Sequence, residues 1–140
     1  VLDKYIPFFE SIKSKCQILG VELLLNRDEN EVASILSNVK IIYLPFPDGI
    51  SNRRGTLLAA IENGCTIVST KSAVSEFNSF FDKYTYLVES NEQAVAIIEN
   101  LLSGKIFPKE LTELKYEFSW EKIVDQYIRL YKILVNNRNI

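Results

Sequence analysis

The chain has 140 residues, 47% hydrophobic and 24% charged, and its 16 basic and 18 acidic residues leave a net charge of -2. It contains no histidine and no methionine. Without histidine, a Ser-His-Asp triad, a His-paired cysteine nucleophile and a zinc-deaminase site cannot be built from this chain alone. The even charge balance argues against a nucleic-acid binder resting on a basic face, and no apolar run approaches the about 20 residues of a membrane span. The length suits one domain with a proper core. The missing methionine sets the expectation of a chain that was processed, cut or recorded without its start.

Tyr5, Phe9, Ile12, Cys16 and Leu19 recur at steps of four and three, one apolar stripe of a helix, with Gly20 placed to stop it. Val21-Glu22-Leu23-Leu24-Leu25 reads as a short buried strand. Asp28 and Glu31 form a capping-box pattern ahead of a second helix with Val32, Ile35 and Leu36 inward. Lys40 to Leu44 is a strand stopped by Pro45 and Pro47. Arg54 to Asn63 is a helix ending at Gly64, Thr66 to Ser69 a strand, Val74 to Phe81 a weak helix and Tyr84 to Val88 a further strand. Asn91 caps a helix running to Leu102, and Gly104 ends it. Lys105 to Glu117 is a long connection, and Ser119 caps a last helix with Ile123, Tyr127, Leu130, Tyr131 and Leu134 on its stripe.

Apolar strands alternating with amphipathic helices predict an α/β fold, a Rossmann-like parallel sheet with helices on both faces and a long C-terminal helix. Residues 1–140 read as one domain, with 1–104 the sheet region and 105–140 the connection and last helix. Cys16 and Cys65 show no metal-ligand spacing and read as buried thiols, which fits a reducing compartment such as the cytoplasm.

Ligands of open α/β sheets bind at the carboxyl ends of the strands. The loop from Pro45 to Thr56 is the most informative of these. It is long and polar, and it enters a helix start, where free N–H groups and the helix dipole favour a phosphate. Arg53 and Arg54 add charged donors, Ser51 and Thr56 add hydroxyls, and Gly49 and Gly55 permit close backbone approach. A solvated basic face is the plain alternative. The loop has neither a Walker pattern nor a dinucleotide glycine fingerprint. In the next loop, Lys71 and Glu76 are the polar candidates. Glu76 could accept from a sugar or ribose hydroxyl, against an ordinary strand-to-helix connection. Trp120 reads as packing at a helix entry, and Tyr127 and Tyr131 as core or interface.

Ile41-Ile42-Tyr43-Leu44-Pro45-Phe46-Pro47-Asp48-Gly49, then Leu57 to Gly64, then Cys65-Thr66-Ile67-Val68-Ser69-Thr70, resembles the C-terminal domain of family-4 (group 1) glycosyltransferases of the GT-B fold. Phe118-Ser119-Trp120-Glu121 with Tyr127 and Tyr131 is similar to that family's terminal helix. The resemblance runs from about residue 20 to 135.

The resemblance implies sugar transfer from a nucleotide-diphosphate donor to an acceptor, as in polysaccharide or glycoconjugate synthesis, with no metal required. It places Asp48 near the donor sugar as the catalytic carboxylate. Gly49, Ser51, Arg53, Arg54, Gly55, Thr56 and Glu76 fall on the donor side, the two arginines toward the diphosphate. The family's second carboxylate, which holds the ribose, falls on Ala59, and Glu62 lies one turn further on. Two β-α units and an N-terminal acceptor domain would precede Val1, so the chain would be an inactive fragment whose partners are that domain and the nucleotide sugar, with no nucleic acid and no transmembrane segment. Two other classes stay open. A non-catalytic nucleotide-binding or interaction module is kept alive by Ala59. A receiver-like signalling domain would need clustered acids and a lysine that Asn26-Arg27-Asp28 and Glu89-Ser90 do not supply.

Overall fold

The computed structural model describes residues 5–136. The chain divides into two compact units, Val1–Val32 and Ala33–Ile140. In the first, α1 (Ile6–Leu19) begins with Pro7 in its first turn and ends at Gly20, whose φ of 66° gives the left-handed cap that glycine adopts without strain. Asp28 and Glu31 make both halves of the predicted box: the Glu31 N–H donates to the Asp28 carboxylate at 2.9 Å and the Asp28 N–H donates to the Glu31 carboxylate at 3.1 Å. They open α2 (Glu29–Asn38). Val21 to Leu25 is not a strand: the segment has no regular structure, and only Leu23 is even half-buried. A strand needs a neighbour for its ladder hydrogen bonds, and no described residues pair with this run. Cys16 is half-buried rather than buried, because α1 has no buried residue.

The second unit is built on a parallel three-stranded sheet of order β1-β2-β3, with β1 at Ile41–Leu44, β2 at Thr66–Thr70 and β3 at Tyr86–Val88. Ile41 faces Thr66 across the first pair, and Val68 faces Tyr86 across the second. The strands are short, and each is covered on both faces. Ile42, Leu44, Ile67 and Leu87 enter one apolar cluster, while Ile41, Tyr43, Val68, Tyr86 and Val88 enter another. That is the strand period of two, with both faces apolar.

Helix α3 (Gly55–Glu62) supplies Leu57, Ala60 and Ile61 to the first cluster, and α4 (Ser75–Phe81) supplies Phe81. Helix α5 (Asn91–Leu102) covers the opposite face through Ala94, Ile97, Ile98 and Leu101. The fold is therefore α/β with a small parallel sheet and helices on both faces. Burying each large side chain of these clusters is worth about 1.5–3 kcal/mol.

Three local readings are corrected. The cap of α5 is Ser90, whose hydroxyl accepts from the Gln93 N–H at 3.3 Å, while Asn91 instead accepts from the Tyr43 hydroxyl at 2.6 Å. The strand expected from Tyr84 begins only at Tyr86, since the Tyr84 and Thr85 N–H groups turn back onto the Phe81 carbonyl. The connection from Lys105 to Glu117 contains α6 (Thr112–Glu117), with Leu111 and Leu114 buried in the first cluster.

The last helix, α7 (Trp120–Asn136), starts as expected at Ser119, whose hydroxyl accepts from the Lys122 N–H at 3.2 Å. It has no buried residue. Trp120 is 81% exposed, Tyr127 58% and Tyr131 64%, so none of the three is a core residue. Among the described residues, no helix is long and apolar enough to cross a membrane.

Candidate functional site

Because all three strands are parallel, their carboxyl ends share one edge of the sheet, and the loops after β1 and β2 meet there. The chain leaves β1 through Pro45, Phe46 and Pro47, and the two prolines, with ring-fixed φ and no N–H, cannot extend the ladder. It then returns. The Gly49 N–H donates to the Phe46 carbonyl at 3.0 Å, and the Ile50 N–H donates to the Thr70 carbonyl at 2.9 Å. Thr70 Oγ1 donates to the Phe46 carbonyl at 2.6 Å, and Ser69 Oγ to the Leu44 carbonyl at 2.8 Å. Ile50, fully buried in the first cluster, anchors the returning strand of the loop.

Gly49 is the wedge of this arrangement. Its φ is 82°, and a Cβ at this position would fall on the Lys71 carbonyl oxygen and Ser72 Cα. The close approach that its glycine permits is thus to the neighbouring loop of its own chain. Gly55 differs: it sits in the first turn of α3, and a Cβ there would meet nothing within 4 Å.

Asp48 precedes the wedge and stands exposed at the turn. Arg54, the N-cap residue of α3, forms an ion pair through Nη2 with Asp48 Oδ1. Its guanidinium carbon lies 4.8 Å from the centre of the Phe46 ring. Its Nε is buried and has no hydrogen-bond partner. A buried donor without a partner costs about 1–3 kcal/mol, so the guanidinium is held at one edge and short of an acceptor along the same edge. Arg53 is exposed and makes no ion pair among the described residues. No side chain caps α3, and the Arg54 N–H reaches back only to the Ser51 carbonyl at 3.3 Å. Ser51 is half-buried and Thr56 exposed.

On the second loop, Lys71 Nζ pairs with Glu89 at 2.8 Å. That hydrogen bond, with the attraction of the two charges, holds the Glu89 carboxyl below its ordinary range and the Lys71 ammonium above its own. The Lys71 N–H donates to the Val88 carbonyl at 2.9 Å, tying the second loop to the end of β3. Asn78 braces it from α4, donating to the Ser72 carbonyl and accepting the Ser72 N–H at 2.8 and 2.7 Å. Glu76 is exposed in the first turn of α4 and accepts a 3.3 Å hydrogen bond from Ser75 Oγ.

The fold therefore brings Asp48, Gly49 and Arg54 into one constellation, with Arg53, Gly55 and Thr56 beside it at the start of α3. Ala59 and Glu62 lie further along α3, Ala59 half-buried and Glu62 exposed at its last residue. No sequence pattern gives Phe46 or Asn78 a part in the site. An aromatic between two prolines signals a ring held in place, but nothing in the sequence says that a guanidinium lies over it. No group of acids and cysteines able to hold a metal occurs among the described residues.

The constellation defines a parallel α/β chain with a cationic, glycine-wedged loop at the carboxyl edge of its sheet. No protein-family model, curated protein or solved structure matches the chain significantly.

Proposed function

We propose that the chain is the donor side of a glycosyltransferase and takes the diphosphate of a nucleotide sugar at the loop from Asp48 to Thr56. The observation that carries this reading is the packing of the loop after β1 onto the loop after β2. Gly49 is locked against Lys71 and Ser72, and this sets a carboxylate and two guanidiniums beside an uncapped helix start. A diphosphate needs fixed N–H donors and permanent cations, and transfer needs charge stabilised on the leaving phosphate. Arg53, Gly55 and Thr56 are exposed to such a ligand. Asp48 pairs with Arg54, and the resemblance puts it near the donor sugar. Glu76, on the neighbouring helix, is the remaining carboxylate for a hydroxyl. The acceptor would be held by a separate domain.

Calorimetric titration of uridine and adenosine diphosphates tests the reading. Arg53→Ala and Arg54→Ala should each weaken binding about tenfold or more, the worth of a charge-assisted hydrogen bond. Folding stability should change by only about 1 kcal/mol or less for the exposed Arg53, while Arg54→Ala also removes a half-buried stem packed on Phe46, so thermal unfolding is followed alongside binding. Nucleotide affinity unchanged in both variants would sink it.

A non-catalytic nucleotide-binding module is the second reading, and Ala59 favours it. A half-buried methyl group stands where the resembled family carries its ribose carboxylate. The two readings part on hydrolysis or transfer from a nucleotide sugar by the chain combined with an acceptor domain.

A further inference from the structure

The Asp48–Arg54 ion pair carries a consequence for how the site fills, and it rests on reading the loop as a diphosphate site. Nε and Nη2 of an arginine point along the same edge of the guanidinium, the edge that an oxyanion grips with two oxygens. In this chain Asp48 takes that edge through Nη2 alone, and Nε is left buried without an acceptor. The Asp48 side chain is 77% exposed, while that of Arg54 is 30% exposed and backed by the Phe46 ring. The arginine is the fixed member of the pair and the carboxylate the movable one. Gly49 pins the backbone immediately after Asp48, so the carboxylate can leave by side-chain rotation without disturbing the loop.

We propose that Asp48 is a built-in competitor for the anion site. In the unliganded chain its carboxylate stands in for a phosphate on Arg54, and an arriving diphosphate displaces it. The exchange replaces a single-point contact with a two-point one and supplies Nε with an acceptor. It also releases the Asp48 carboxylate beside the bound ligand, where its lone pairs are free for the hydroxyls of the attached sugar. Asp48 therefore both selects for anions able to grip two donors and becomes available only when one has bound.

The test is titration of inorganic pyrophosphate at low ionic strength into the full chain, as wild type, Asp48→Asn, Arg54→Ala and the double variant, with thermal unfolding confirming that each is folded. Exchange predicts that Asp48→Asn binds pyrophosphate about three- to fivefold more tightly than wild type, the scale of a surface ion pair no longer to be broken. It also predicts that this gain vanishes in the Arg54→Ala background, the signature of direct coupling in a double-mutant cycle. A gain that persists without Arg54 would mean only the general repulsion of a nearby charge, and it would overturn the exchange. So would an Asp48→Asn affinity equal to wild type. In both cases the diphosphate site would stand as long as Arg54→Ala weakens binding. Absence of pyrophosphate binding by all four chains would remove the site and the exchange together.

Discussion

Single residues decide how the loop after β1 is held. Gly49 combines a left-handed φ of 82° with backbone atoms of Lys71 and Ser72 where a side chain would begin. Alanine would meet strain and collision together, and neither neighbouring atom can swing away, because both are main chain. Gly49→Ala should destabilise the chain by about 2–4 kcal/mol, the range of a strained and overpacked site. It should also weaken diphosphate binding, because the loop that carries Arg53, Arg54 and the start of α3 would be pushed off its seat on Lys71 and Ser72. Gly55→Ala is the control: its site is open, and alanine is the better helix former. Urea titrations of both variants measure the contrast, and equal stability losses would refute the wedge. In sequence both positions are simply glycines in a polar loop. Which one the fold needs depends on a loop more than twenty residues away in the chain.

At the scale of elements, amphipathic stripes identified the helices but not their depth. Helices α3 and α5 bury the faces expected of them, whereas α7 has an apolar stripe of similar clarity and buries none of it. An apolar stripe reports that a surface is suited to burial, while burial itself requires a covering surface. The two kinds of helix separate energetically. Phe81→Ala, in the first cluster and stacked on Phe118 at 6.3 Å, should cost about 3–5 kcal/mol. Tyr127→Ala and Leu130→Ala, at positions 58% and 51% exposed, should each change unfolding free energy by no more than about 0.5 kcal/mol. Chemical denaturation of the three variants is the check, and a core-sized loss at Leu130 would show α7 to be covered. The Val21 to Leu25 run makes the same point for strands. Its composition is that of a buried strand, yet a ladder needs a partner in register.

Across the whole molecule, the charge pattern sets how stability responds to acid. The Thr112 hydroxyl, then the Thr112 and Leu111 N–H groups, hold the Glu110 carboxyl below its ordinary range at the start of α6. A hydrogen bond from Lys83 does the same for Glu113, and one from Lys71 for Glu89. A carboxyl whose folded value is depressed contributes stability above its unfolded value, near 4.3, and loses it as pH falls through the lower folded value. The urea midpoint should therefore decline between about pH 5 and pH 3. Glu110→Gln should lower the midpoint at neutral pH and make that acid decline shallower. A variant whose midpoint fell as steeply as wild type would remove Glu110 from the account.

The sequence by itself determined the α/β class with a parallel sheet, most helix limits and the polar loop after β1. It could do so because apolar period, capping residues and the glycine and proline stops act within a few residues of one another. The Asp28–Glu31 box and the Ser119 cap are local hydrogen bonds, legible from spacing alone. Only the tertiary structure decided which residues of that loop act together. Asp48 meets Arg54 because Ile50 is buried and Thr70 binds the returning backbone. Arg54 is fixed because Phe46 lies under it, and Gly49 is obligatory because Lys71 and Ser72 are behind it. These contacts join segments that parallel strand pairing brings to one edge, and no spacing along the chain encodes them. The apolar face of α7 belongs to the same category, since exposure is a relation between surfaces rather than a property of one helix.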